Sequence, residues 1–166
     1  MEPELADMAR ARDQLGRLVE LGHDAGAQVC VEFLPWSGIP TLAAAWDLVE
    51  PLGAGAGILL DTWHWQRQPG GPDPGLLERI PGDRIGYVQI CDAAATPVGD
   101  SLTEAMSARL LPGDGVVDFA AVFALLRHIG ARPFMATEIF NPGLVVERGS
   151  GGAAGAMATA GRRVLA

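Results

Sequence analysis

GILLDTWHWQR (57–67) is the stretch on which the fold turns. It is an apolar, strand-like run that ends on an acid, Asp61, and passes at once into a polar and aromatic segment. A carboxylate inside such a run is costly to bury unless something satisfies it. The same design recurs in QVCVEF (28–33) with Glu32, IGYVQICD (85–92) with Gln89, and FMATEIF (134–140) with Glu138. One such residue is explained by a local partner. Four, each at or beside the C-terminal end of a successive strand-like segment, imply one shared site. A divalent metal ion is the simplest object that gathers three carboxylates and an amide oxygen.

Working outward, the segments between these runs read as helices. Residues 4–26 carry apolar side chains at roughly helical spacing and stop at Gly26. Thr41 caps a helix running to about Leu52, a short helix covers about 75–80, Asp118 caps a helix over 119–130, and a last helix lies within 143–165. Strands are expected at 28–33, 57–61, 85–91 and 134–139. A long connection, 92–115, ends in the turn PGDG. Strands alternating with helices imply an α/β fold on a parallel sheet with right-handed crossovers. The four polar residues are 29, 28 and 49 residues apart, one β–α unit per interval with a long loop in the last. Sites in parallel α/β sheets form at the C-terminal strand ends, where these residues stand.

The whole chain bounds the alternatives. Its 166 residues suit a single domain over 1–166, and the 49% apolar content supports a packed core. A formal charge of -8 disfavours non-specific nucleic-acid binding. No apolar run reaches the roughly 20 residues of a membrane span. The N-terminus lacks the apolar core of a signal peptide, so a cytoplasmic location is expected. All 12 basic residues are arginine, which excludes lysine Schiff-base chemistry and a Walker-type phosphate loop. Two cysteines, Cys30 and Cys91, make neither a disulfide framework nor a thiolate zinc site.

The segments VEFLPW, LLDTWHWQR, IGYVQICDA, RLLPGDGVVDF and ATEIF, in this order, resemble the xylose-isomerase-like superfamily of sugar phosphate isomerases and epimerases. The resemblance runs from about residue 10 to the end and matches the C-terminal half of that barrel. It implies a TIM-barrel-type fold of about four β–α units, strands 5–8 of the eight. It also implies metal ligation by Glu32, Asp61, Gln89 and Glu138, a substrate-facing His64, and Arg109 as an anion clamp before the PGDG turn. Many epimerases of the superfamily carry histidine where this chain has Gln89. Glutamine there resembles the 3-dehydroshikimate dehydratase branch.

The implied activity is proton abstraction next to a carbonyl of a small polyhydroxylated substrate. Glu32 and Glu138 act as the acid–base pair and a metal polarises the carbonyl. All-oxygen ligation favours Mn²⁺, Mg²⁺ or Co²⁺. Isomerase or epimerase chemistry stands first. A dehydratase of the 3-dehydroshikimate or inosose type shares the first step. A half-barrel that keeps the ligands without catalysis is the third reading. Trp36, Trp63 and Trp65 follow ligands closely, and Trp36 and Trp63 are taken as pocket walls. Arg67 is a weaker anion-clamp candidate, and Asp92 either orients a ligand or caps a turn. Strand alternation turns Cys30 and Cys91 inward with Glu32 and Gln89, as small apolar filling. Four strands leave parallel edges at 28–33 and 134–139, so the chain is a piece of a longer barrel, stays open, or is completed by a second copy in a homo-oligomer.

Overall fold

A computed structural model describes residues 8–166. Four strands, β1 (Val29–Glu32), β2 (Ala56–Asp61), β3 (Ile85–Ile90) and β4 (Phe134–Thr137), form one parallel sheet in sequential order. Between and around them lie α1 (Met8–Asp24), α2 (Leu42–Val49), α3 (Thr62–Arg67), α4 (Pro74–Arg79), α5 (Ser101–Ser107), α6 (Phe119–His128) and α7 (Pro142–Leu165). The expected helix 4–26 is observed as Met8–Asp24, and its residues 4–7 lie outside the described residues. This is the expected α/β architecture with four β–α units.

Polar side chains set the helix starts. Thr41, Asp61, Asp73, Asp100, Asp118 and Asn141 each accept a hydrogen bond from a backbone N–H in the first turn of the helix that follows. Three helices differ from expectation, the first being α3, which follows directly on β2 where no helix was expected. The connection 92–115 contains α5, capped by Asp100. The Gly-rich last segment is helical over almost its whole length but breaks at Gly149 (φ 68°, ψ 164°), a conformation that needs a residue without Cβ.

The sheet has two unlike faces. The outer face is sealed: Ile58, Leu60, Val88 and Ile90 are buried against Leu42, Ala45, Leu48 and Val49 of α2, Leu77 of α4, and Val122, Phe123 and Leu126 of α6. Arg84 joins this side through its aliphatic stem; its head donates to the carbonyls of Ala56 and Val49, both at 2.6 Å, and lies over Trp46. The opposite face is open: Leu59 and Tyr87 are half-buried and Phe134 is 79% exposed. Pairing places Asp61 beside Gln89, and Gln89 beside Ala136, so Asp61 and Gln89 share the open face with Glu32 one residue pair lower, opposite Leu59. No helix among the described residues is long and apolar enough to cross a membrane.

Leu60 is fully buried at the centre of the sealed layer. Leu60→Ala is expected to cost about 2–5 kcal/mol, read as a lowered denaturant midpoint with unchanged slope; a loss under half a kilocalorie would mean that this face is not the core.

Candidate active site and metal centre

Asp61 stands where β2 passes into α3. Its backbone is extended, and its Oδ1 accepts from the N–H groups of Trp63 (2.8 Å) and His64 (2.9 Å). One oxygen of this fully buried carboxylate is thereby committed to starting the helix. The other, Oδ2, faces Arg109 Nη1 at 2.7 Å. Nη1 also reaches Glu138 Oε2 at 3.1 Å. Arg109 is only 2% exposed. Its Nε donates to the Ala105 carbonyl (2.9 Å), and the guanidinium packs over the rings of Trp63 and Phe140. The expected loop arginine is a buried ion-pair centre, drawn in by two carboxylates that lie 48 and 29 residues away in sequence.

His64 sits between two partners with opposite demands. Its Nε2 lies 3.4 Å from Glu32 Oε1 and 3.3 Å from Arg109 Nη2. Arginine only donates and an ionised glutamate only accepts. A proton on Nε2 therefore bonds Glu32, and a bare Nε2 accepts from Arg109. Nδ1 is buried without a partner. Gln89 Nε2 donates to Glu138 Oε1 at 2.7 Å, while its own Oε1 is buried and unpartnered. Glu32 and Glu138 are about 30% exposed, at 30% and 31%, and are the two carboxylates of the group that solvent reaches.

The loop carrying Arg109 is pinned by Asp92. Its Oδ2 accepts from the N–H groups of Gly113 and Gly115, and its Oδ1 from Ala93 and Val117, at 2.8–2.9 Å. Leu110 exchanges backbone bonds with Asp92, and Asn141 Nδ2 holds the Arg109 carbonyl at 3.1 Å. Gly115 runs so close to the Ala93 carbonyl and the Asp92 carboxylate that a Cβ would collide with both. Asp92 thus orients the site through the loop rather than by touching a ligand side chain.

Other expected contributors stand elsewhere. Trp36 is half-buried, with its ring edge-on to His64 at 5.3 Å. Trp63, expected as a pocket wall, has no exposed surface and backs His64 and Arg109 from behind. Arg67, expected as a weak anion clamp, is bound to the buried Glu104 carboxylate at 2.7 Å and to the Ala94 carbonyl. Cys91 is buried 3.5 Å from both Asp61 oxygens, and burial, then the Asp61 charge, push its thiol well above the usual range. Cys30 lies lower, beside Gln28 and Gly86.

Burial raises Glu138 above the usual carboxylate range, with the Asp61 and Glu32 charges adding to the rise; Arg109 and His64 oppose it. Burial also opposes the charge on Arg109, but the Asp61, Cys91 and Glu138 charges outweigh it and leave the guanidinium held more firmly than usual. Glu32, Asp61 and His64 each offer a ligand atom within 4.8 Å of the others. Two acids paired to a single guanidinium, a third beside His64, an orphaned amide oxygen and a carboxyl raised above its usual range form a donor set that could hold a divalent cation.

The model of the xylose isomerase-like TIM barrel matches residues 1–164. The chain belongs to this family. Within it, the chain is 33% identical over 141 residues to a 3-dehydroshikimate dehydratase of Pseudomonas putida, covering 84% of this chain and 22% of that protein. It is 29% identical over 148 residues to an inosose dehydratase of Klebsiella pneumoniae, covering 82% of this chain and 48% of that protein. Among solved structures, the IOLI protein with a bound zinc atom superposes with a TM-score of 0.77 at 25% identity, over 93% of this chain and 54% of that one. The chain thus spans half or less of the length of these curated relatives. The family match and this superposition make the four-stranded sheet a partial TIM-type barrel.

Two outcomes are expected. Asp92→Ala leaves four backbone N–H groups without their acceptor and should lower stability by about 1–3 kcal/mol; protease cutting within 109–117 should rise, and an unchanged cleavage pattern would refute the pinning role. Because Glu138 is raised, metal-free folding takes up a proton there. The Glu138 contribution to the stability of the metal-free chain is therefore fully present below the ordinary glutamate range and is lost as pH rises through the raised Glu138 value. A cation binds the ionised form, so uptake of Mn²⁺ should release a proton and weaken as pH falls through that raised value. Calorimetry in buffers of different ionisation heat reads the proton directly.

Proposed function

We propose that this chain carries the metal-binding wall of a dehydratase acting on a cyclic polyhydroxylated ketone. The observation that carries the reading is the Glu32–Asp61–Gln89–Glu138 set with the buried, unpartnered Gln89 oxygen at the ends of four parallel strands. Glu32, Asp61, Gln89 and Glu138 would hold the ion, with His64 beside Glu32 as an alternative donor. When bound, a divalent ion supplies Lewis-acid polarisation of the substrate carbonyl.

The chain's own groups then divide the proton work. The two partly exposed carboxylates, Glu32 and Glu138, approach from the first and last strands. One removes the proton from the carbon next to the carbonyl, and the C–H electron pair moves into the enolate. The enolate pair forms the new C=C bond as the C–O bond of the β-hydroxyl breaks, and the leaving oxygen departs as water with a proton from the other carboxyl. Trp36 would border the substrate, and Arg109 would stabilise negative charge from within. Isomerase or epimerase chemistry shares the proton abstraction and differs only in returning the proton to carbon. The dehydratases at 28–33% identity favour loss of the hydroxyl.

The assay is turnover of 3-dehydroshikimate and of an inosose by the Mn²⁺- or Co²⁺-loaded chain, with light scattering on the same sample. The new conjugated product absorbs in the ultraviolet. Glu138→Gln should lower turnover by about 10²–10⁴-fold. A dimer that turns over supports closure of the open sheet face by a second copy. A monomer that binds metal without turnover supports the non-catalytic half-barrel. Turnover unaffected by Glu138→Gln, or by a chelator, overturns the dehydratase reading.

A further inference from the structure

We propose that Arg109 is an exchangeable internal cation: its guanidinium occupies the place between Asp61 and Glu138 that a divalent ion takes over, so arginine and metal compete for the same carboxylate oxygens. The inference rests on the metal-centre reading above and adds a rule for how the centre loads.

Four observations carry it. Asp61 has only Oδ2 left for a cation, since Oδ1 is committed to two backbone N–H groups, and Oδ2 is held by Arg109 Nη1 at 2.7 Å. The same nitrogen binds Glu138 Oε2, so one donor does the bridging that an ion would do. Glu138 stands outside the close group of Glu32, Asp61 and His64, bound instead to Arg109 and to Gln89. Finally, the arrangement leaves Gln89 Oε1 buried and unsatisfied, a defect that a cation relieves and that an arginine already fully engaged does not.

Charge explains why the exchange is workable. Three carboxylates against one guanidinium leave the pocket negative, which draws in a second, stronger cation. Two cations on one pair of oxygens repel, so entry of the ion loosens Nη1. The movement is local. The Nε bond to Ala105 and the packing over Trp63 and Phe140 hold the base of the guanidinium, so the Nη1 end turns without opening the loop that Asp92 pins. Arg109 thereby keeps the metal-free pocket folded and sets the metal affinity below what the bare oxygen ligands would give.

The test is calorimetric titration of Mn²⁺ into the chelator-stripped full chain and into Arg109→Met, with thermal melts of both with and without Mn²⁺. The variant should bind Mn²⁺ roughly tenfold more tightly or better. Its metal-free form should melt below the wild type, and added Mn²⁺ should close that gap. Arg109→Lys, which keeps a charge, should bind more weakly than Arg109→Met. Arg67→Met is the control, because Arg67 also lies over Trp63 but is paired with Glu104. If it tightens binding as much, the effect is long-range charge and the proposal falls. Equal or weaker binding by Arg109→Met, with wild type binding normally, overturns the exchange and leaves the metal centre standing. No Mn²⁺ binding by wild type or variant overturns the metal-centre reading and this inference with it. Should Arg109→Met not fold, refolding from denaturant with and without Mn²⁺ decides: recovery only with Mn²⁺ supports the exchange, and recovery in neither overturns it.

Discussion

Repulsion among Glu32, Asp61 and Glu138 is the constraint to which the surrounding structure answers. Two like unit charges about 5 Å apart repel by roughly 3 kcal/mol at an effective dielectric near 20, and this pocket gathers three carboxylates. A single guanidinium, Arg109, meets two of them directly. Its own burial is costly, so the chain surrounds it with compensation: the Ala105 carbonyl on Nε, aromatic rings of Trp63 and Phe140 against the guanidinium, and Asn141 on its backbone. Asp92 then fixes the loop from below by accepting from Gly113, Gly115 and Val117. Even the second buried pair, Arg67–Glu104, contributes, since Glu104 belongs to α5, the helix whose Ala105 carbonyl receives Arg109.

The sheet supplies the other half of the design. Parallel pairing brings all four strand ends to one edge, and alternation sends Asp61 and Gln89 to the open face while Leu60, Val88 and Ile90 go to the sealed one. Stability and chemistry are thus separated by a single residue step. The sealed layer needs only apolar volume and tolerates no carboxylate. The open face accepts costly polar groups because the apolar layer that holds the sheet together lies on the other side.

The strands and their polar ends were legible because both signals are local: an apolar run and a carboxylate or amide near its end. Thr41 and Asp118 were legible as caps for the same reason. Helix α3 was not, because six residues, TWHWQR, are too few to show a period and the cap, Asp61, also read as a ligand. Helix α5 was hidden in a connection that read as loop. The burial of Arg109 and Arg67 had no local signal at all, since their partners are distant in sequence and solvated arginine is the commoner state. Asp92 bonds to backbone N–H groups, which carry no side-chain signature, although the glycines it grips in PGDG mark where such close approach is possible.

Gln89 illustrates why residue type matters at a position that register alone would fill. A fourth carboxylate there would deepen a repulsion that one arginine already only partly offsets. A histidine could hold Glu138 and offer a second nitrogen, but it gains a proton near neutral pH and would then add a positive charge to the pocket, opposing any incoming cation. The amide does not titrate. Its Nε2 holds Glu138 Oε1 while its Oε1 stays free. Among the groups on the open strand ends, acid–base sensitivity is therefore left to carboxylates, and burial raises Glu138 above its usual range. That places a pH response on a side chain that solvent partly reaches, where a proton can be exchanged.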